Sequence, residues 1–193
     1  VADLQRQSSL STIEIPGGNA EFALVEQRSR YLMQVNGAPA GDGLKPVLTA
    51  LGIGQAPGAG LSPGIPGVPV LSTDDLRLLW NGPGMWFAVV SSDAAMHRLG
   101  ASFDATDATI TDLSDARTVL RLSGQEACTV LSKGCPLDIE SMPDNSAMSS
   151  HISHINALIH KIDSNTYDIY VFRSFGIVLY EWLTDAATEW TSA

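Results

Sequence analysis

The chain has 193 residues, 45% of them hydrophobic and 17% charged, with a formal net charge of -10. This length fits one domain or two small lobes sharing a core, and the lack of any Lys/Arg stripe argues against nucleic acid and against anionic membrane surfaces, which both demand concentrated positive charge. No apolar run approaches the roughly 20 residues that span a bilayer, Val1 to Gln7 lack the build of a signal peptide, and Cys128 and Cys135 alone make no disulfide framework, so a cytoplasmic location is expected.

Residues 1–20 read as a polar lead-in ending at Pro16-Gly17-Gly18. Glu21 to Val25 and Tyr31 to Val35 are strand-like, and Asn36-Gly37 is a turn signal. Leu44, Val47, Leu48 and Leu51 fall at helical spacing, with Gly52 placed to stop that helix. Gly52 to Pro69 is a compositional break: ten of its eighteen residues are Gly or Pro, which rules out helix or ladder strand because Pro removes donors and Gly is entropically costly to fix. It reads either as a surface loop or as an arm that orders against a partner through Leu61, Ile65 and Val68. The expected organisation is an N-terminal lobe, 1–75, carrying this loop at 52–69, followed by an α+β lobe, 76–193.

From Leu76 the pattern sharpens. Leu76 to Trp80 and Trp86 to Val90 read as strands around the turn Asn81-Gly82-Pro83-Gly84. Ala94 to Leu99 reads as a short helix closed by Gly100, and Ala108 to Asp112 and Thr118 to Leu122 as strands. Ser123-Gly124-Gln125-Glu126 has the form of a capping box. It opens a helix with Ala127, Val130 and Leu131 inward and Gly134 as a left-handed terminal residue. Ile152 to Ile162 and Thr166 to Phe172 read as strands meeting at Asp163-Ser164-Asn165. A last helix is expected from near Ser174, with Phe175, Val178, Leu179, Trp182, Ala186 and Trp190 on one apolar stripe. Mixed strands and helices in this order predict an α+β fold, antiparallel sheets with helices packed on one face.

Motifs that would carry chemistry are sparse. On a strand, His151 and His154 point to opposite faces; neither they nor His160 sit in a His-x-x-x-His or Cys-rich arrangement, and His97 has no candidate partner nearby in sequence. Lys133-Gly134-Cys135 offers two readings: a thiol activated by Lys133, or, preferred, a helix end with Cys135 as a small buried group and Pro136 as the stop. No Gly-x-Ser-x-Gly is present, and Gly52-x-Gly54 lies in the Pro-rich loop rather than between a strand and a helix. Asp112 with Asp115 and Asp138 with Glu140 are ordinary pairings in a chain holding 21 acidic residues. In Arg173-Ser174-Phe175, Ser174 reads as an N-cap, Phe175 as a core residue, and Arg173 either as part of that helix start or as a subunit contact. Catalytic, cofactor-binding and metal-ligating residues are therefore all assigned as none.

The run Asp112-Leu113-Ser114, Arg117 to Gly124 and Lys133 to Asp138, continued by Tyr167-Asp168-Ile169-Tyr170-Val171, Arg173-Ser174-Phe175 and Trp182-Leu183, resembles the gamma subunit of heterotetrameric sarcosine oxidase. Leu78-Leu79-Trp80-Asn81-Gly82-Pro83-Gly84-Met85-Trp86 is similar to that family's apolar strand, Gly-Pro turn and Trp. The resemblance implies the folate-binding fold of the glycine-cleavage T-protein. It also implies a noncatalytic structural subunit of a flavin-dependent complex that demethylates sarcosine to glycine, with hydrogen peroxide and a formaldehyde unit that tetrahydrofolate can accept. The alpha, beta and delta subunits would be its partners, and FAD, FMN, NAD and zinc would sit on them rather than on this chain. An alternative from the same fold, a stand-alone folate-binding or aminomethyltransferase-like protein, needs a pterin-contacting carboxylate, and no carboxylate here matches a motif for one. Relatives in iron–sulfur maintenance carry Lys-Gly-Cys followed by an aromatic and Gly-Gln-Glu, where this chain has Pro136-Leu137-Asp138.

Overall fold

Strands with apolar residues on both faces must be covered twice, and that requirement sets the layering here. The computed structural model describes residues 7–11, 13, 18–28, 31–37, 67–101 and 108–191. Six strands form one sheet in the order β1 (Ala23–Glu26), β8 (Arg117–Ser123), β11 (Thr166–Phe172), β10 (Ile155–Asp163), β9 (Ser146–Ile152) and β3 (Val68–Pro69). Five form the second, in the order β4 (Leu71–Ser72), β5 (Leu76–Gly82), β6 (Met85–Val90), β2 (Tyr31–Gly37) and β7 (Ala108–Asp112). Every pairing is antiparallel. The helices are α1 (Asp93–Ala101), α2 (Ala127–Ser132), α3 (Gly176–Ala186) and α4 (Thr188–Thr191), with a 3-10 turn at Arg173–Phe175 before α3. Strands from before and after residue 76 interleave in both sheets.

Alternation of side chains then sorts the core into layers. Leu120 and Leu122 of β8 and Ile169 of β11 face α2 and α3, burying Val130, Leu131, Leu179 and Leu183. Met33, Val35, Leu78 and Trp86 of the five-stranded sheet cover Ala95 and Leu99 of α1. Between the two sheets lie Leu32, Leu79, Phe87 and Val89 from one side and Ala147, Leu158 and Tyr170 from the other. Phe87 and Tyr170 meet there edge-to-face, centroids 6.4 Å apart at 61°, a geometry worth about 0.5–1.5 kcal/mol beyond area burial.

The β5–β6 hairpin turns on Pro83 and Gly84, with Gly82 opposite Met85. Pro83 holds the second turn position at negative φ and Gly84 adopts φ +69 at the third, as a type II turn requires. Asp163-Ser164-Asn165 closes β10–β11 as expected, the Asn165 N–H donating to Asp163 Oδ1 at 2.9 Å.

Several local expectations are corrected. Asn36-Gly37 is not a turn; β2 runs through it, paired with Thr109 and Ala108 of β7, so sheet pairing overrides local turn chemistry. Ile152 to Ile162 is not one strand: a two-residue turn at Ser153-His154 separates β9 from β10, with Ser153 at φ 53. The capping box does not form. Ser123 ends β8, and the N–H groups of Gln125 and Glu126 donate to the carbonyls of Ala20 and Glu21. The approach is so close that a Cβ on Gly124, at φ +125, would lie 2.3 Å from Glu21 O. Gly134 follows α2 without a left-handed φ; its smallness instead admits the Trp182 ring, 2.4 Å from where a Cβ would stand.

The last helix keeps most of its expected stripe, with Leu179 buried and Trp182, Ala186 and Trp190 packed against the core, but its start departs from it. Gly176 packs inward against Ser9 and Thr118, so Leu179, Tyr180 and Leu183 are buried while Phe175 and Val178 stay 41% and 42% exposed. Phe175, expected in the core, is thus at the surface, and α3 has no side-chain cap from Ser174. Val68, expected as an anchor on a partner, is buried within its own chain as β3, paired with Ala147. The helix expected over 44–51, the loop over 52–66 and the anchors Leu61 and Ile65 lie outside the described residues.

Candidate functional site

The layer between the sheets mixes apolar packing with charge. Register places Arg121 of β8 opposite Asp168 of β11, and Asp168 opposite His160 of β10. Arg121 forks onto Asp168, Nε to Oδ1 at 2.7 Å and the terminal amine to Oδ2 at 2.8 Å. Asp168 is wholly buried, and the pair raises the Arg121 guanidinium pKa above its ordinary value, chiefly through that hydrogen bond. Such bidentate pairs are the strong class of charge-assisted bond.

Four residues earlier on β8, on the same face, Arg117 is used differently. Its guanidinium carbon stacks 3.5 Å from the centroid of Phe172 and 5.2 Å from that of Phe87. Among the described residues its buried Nε has no hydrogen-bond partner, and burial lowers its pKa. Arg117 borders three neighbouring spaces: a cavity of about 620 Å³ reaching Arg28 and Arg173, a gap of about 50 Å³ between the sheets, and a cavity of about 410 Å³ beside Ser149, His151 and Phe172. The site is thus a cleft between the sheets with one aromatic-clamped cation at its centre.

The residues singled out from sequence are not assembled into a centre. His151 lies exposed on β9, His154 sits in the following turn with Nδ1 3.1 Å from Ser153 Oγ, and His160 is buried on β10. His97 is exposed on α1. Among the described residues no cluster of three or more His, Cys, Asp or Glu is placed to hold a metal ion. Cys135 is buried, its sulfur 3.8 Å from Ser150 Oγ. Lys133 does not serve that thiol; its Nζ donates to Ala186 O at 2.7 Å and Glu189 at 2.5 Å and sits 4.5 Å from the Trp190 ring. Asp112 accepts from the Ser114 backbone and hydroxyl. Asp138 accepts from the Ser141 N–H, and Ser141, through its side chain first and its N–H second, holds the Asp138 carboxyl below the ordinary value. Arg173 donates to the Gln7 carbonyl, and its own N–H to Ala116 O at 2.9 Å.

Arg117, Arg121 and Asp168 were not assigned roles from sequence. Their signal is visible in retrospect as charges at strand positions: Arg117 and Arg121 alternate with buried Thr118, Leu120 and Leu122, and Asp168 interrupts the run Tyr167 to Val171.

These features define an α+β domain that neutralises one buried charge pair internally and, among the described residues, leaves Arg117 and Arg77 each with a buried guanidinium nitrogen that has no hydrogen-bond partner. The chain belongs to the sarcosine oxidase, gamma subunit family, whose model matches residues 40–189. It is similar to the sarcosine oxidase subunit gamma of Corynebacterium sp. (strain P-1), 30% identical over 158 residues covering 75% of this chain and 78% of that one. The corresponding subunit of Corynebacterium sp. (strain U-96) is 29% identical over 189 residues, covering 96% and 88%. A chain of the heterotetrameric sarcosine oxidase from Corynebacterium sp. U-96, solved in complex with pyrrole 2-carboxylate, has the same fold at TM-score 0.80 and 24% identity, over 97% of both chains. Glycine cleavage system aminomethyltransferase T from Bartonella henselae matches at TM-score 0.57 and 16% identity, over 86% of this chain but 46% of that one. The expected T-protein-like α+β fold is therefore observed.

Proposed function

We propose that this chain is a noncatalytic, assembly-supporting subunit of a heterotetrameric, flavin-dependent sarcosine oxidase, with alpha, beta and delta subunits as its partners. In that complex FAD, FMN, NAD and zinc belong to the partner subunits, and sarcosine is demethylated to glycine with hydrogen peroxide and a one-carbon unit as co-products. The match of residues 40–189 to the gamma subunit family carries this reading. The use of the polar groups supports it: Arg121 and Asp168 satisfy one another, Lys161 donates to the carbonyls of Ile139 and Glu140, and Lys133 ties down the C-terminal turn. Groups committed to holding backbone and partner charges in place are not poised for proton transfer. A cytoplasmic location belongs to the same proposal; among the described residues no helix is long and apolar enough to cross a membrane.

The test is to purify the full chain alone and together with the other subunits. The tetramer should carry flavin and release peroxide with sarcosine, and the lone chain should do neither. Bound flavin or sarcosine-dependent peroxide from the lone chain would overturn the noncatalytic reading, and calorimetric binding of tetrahydrofolate to it would revive the stand-alone folate reading.

A further inference from the structure

The inter-sheet face of the six-stranded sheet carries one rung that the five-stranded sheet leaves open. Arg117 of β8 stands opposite Phe172 of β11, and Asn156 of β10 opposite His151 of β9. The match of Tyr170 with Leu158 sets Asn156 level with Phe172, so the four share one row and one face. Phe172, Asn156 and His151 are exposed. This row borders the cavity of about 410 Å³, which Phe87 and Tyr170 wall, a volume at the small end of ligand cavities. Its polar groups are chiefly donors. Arg117 lies over the Phe172 ring, 3.5 Å from its centroid, which carries the guanidinium toward β10. Asn81 has its amide oxygen engaged by the Ser149 hydroxyl at 2.7 Å, so its N–H groups are what it offers to the cavity. Among the described residues that line it there is no carboxylate. The cavity of about 620 Å³, which Arg117 also borders, carries Glu26, Asp93 and Asp115, so an anion reaches this guanidinium from the Phe172 side. Arg77, whose buried nitrogen also lacks a partner among the described residues, does not line this cavity; the row defines the site, not an unpaired cation alone.

We infer that this row is a binding site for a small molecule in which a carboxylate is joined to a ring-sized apolar body. The carboxylate takes the Arg117 fork and an N–H of Asn156. The body lies against Phe172, which is 47% exposed, and removes aromatic surface from water. A cation of the same shape is repelled by Arg117, and a bare anion leaves the aromatic surface wet. Binding of this kind uses no nucleophile and moves no proton, so it does not depend on the subunit reading above and asks no chemistry of the chain. An Asp or Glu of a partner subunit is the other source of the same group, and the experiment separates the two.

The full chain, isotope-labelled for NMR, is titrated with benzoate, acetate and benzylamine while the amide signals of Asn156, His151 and Phe172 are followed. Benzoate should shift them with a Kd on the order of 1 mM, as befits so small a ligand. Acetate should bind at least about tenfold more weakly, because it lacks the apolar body, and benzylamine should not bind at about 20 mM. Arg117→Met should weaken benzoate at least about tenfold by removing the charge-assisted fork. Asn156→Asp, at an exposed position, sets a carboxylate into the row and should weaken benzoate by at least about tenfold without touching the core. The inference is overturned if benzoate causes no shift at about 20 mM or if benzylamine binds as well as benzoate. Wild-type affinity in Arg117→Met, or in Asn156→Asp should Arg117→Met not fold, also overturns it. Benzoate bound by the lone chain but excluded once the chain is assembled with the other oxidase subunits overturns it too, by giving the cavity to a partner side chain.

Discussion

Substituting Arg121 by Met isolates the energetics of the buried pair. The substitution keeps the length and apolar stem of the side chain but removes both charge-assisted bonds to Asp168, at 2.7 and 2.8 Å. Asp168 is then a buried carboxylate with 0% exposure that has lost its countercharge. Breaking such a pair from one side costs about 3–5 kcal/mol, equivalent to about 6–20 °C in melting temperature for a chain of this size. The converse change, Asp168→Asn, is milder. Arg121 retains 28% side-chain exposure and can turn toward water, and the amide still accepts one bond, so about 1–3 kcal/mol is expected. Replacing both residues at once, as Arg121→Met with Asp168→Leu, removes the desolvation penalty together with the attraction and should return to within about 1 kcal/mol of wild type. Urea unfolding of the full chain, followed by circular dichroism and by tryptophan fluorescence to check two-state behaviour, measures all three. If Arg121→Met costs no more than Asp168→Asn, or if the double variant loses the sum of the singles, the pair is not the internally neutralised unit described here.

Two further outcomes follow from the packing and from the titrating groups. Gly134→Ala should cost about 1–3 kcal/mol by overpacking, because its Cβ would sit 2.4 Å from the Trp182 ring; adding Trp182→Phe should recover part of the loss in a thermal melt, and an unaltered melt for Gly134→Ala alone would refute the close-approach reading. Asp75 is held below its ordinary value of 3.8, first by the hydrogen bond from Arg98, and Asp138 likewise by hydrogen bonds from Ser141. As pH falls the unfolded chain binds these protons first, so their contribution is present above about pH 4 and is lost as the pH drops through the folded values. The variant with Asp75→Asn and Asp138→Asn should therefore show a shallower acid limb in melting temperature against pH, and limbs of equal slope would refute the assignment.

What the sequence reveals divides along local and non-local causes. The Pro83-Gly84 turn and the Asp163-Ser164-Asn165 turn are legible because the residues that make them supply their own φ angles and hydrogen bonds. The strand β9 is not legible. Ser146-Ala147-Met148-Ser149-Ser150-His151-Ile152 has weak strand character, and its turn uses Ser153 at φ 53, where a glycine or asparagine would have given a signal. Its identity comes from seven residue pairs with β10. The same distinction explains the last helix: the apolar residues are there, but the facing of its first turn is set by Gly176 meeting Ser9 and Thr118, contacts that span more than fifty positions of chain. The charge pair is the extreme case. Arg121 and Asp168 are 47 residues apart, and only the β8–β11 register brings them opposite one another.

The same register separates what the fold shares with an aminomethyltransferase from what its own side chains do. A fold fixes where side chains stand, and activity depends on what those side chains are. Along the inter-sheet face of β8, Arg121 meets Asp168 and its charge is spent within the chain, whereas Arg117, four residues earlier, meets Phe172 at the end of β11. An aromatic ring orients a guanidinium without neutralising it. The strand therefore begins with a cation that the described residues orient but do not neutralise, opposite the last residue of β11.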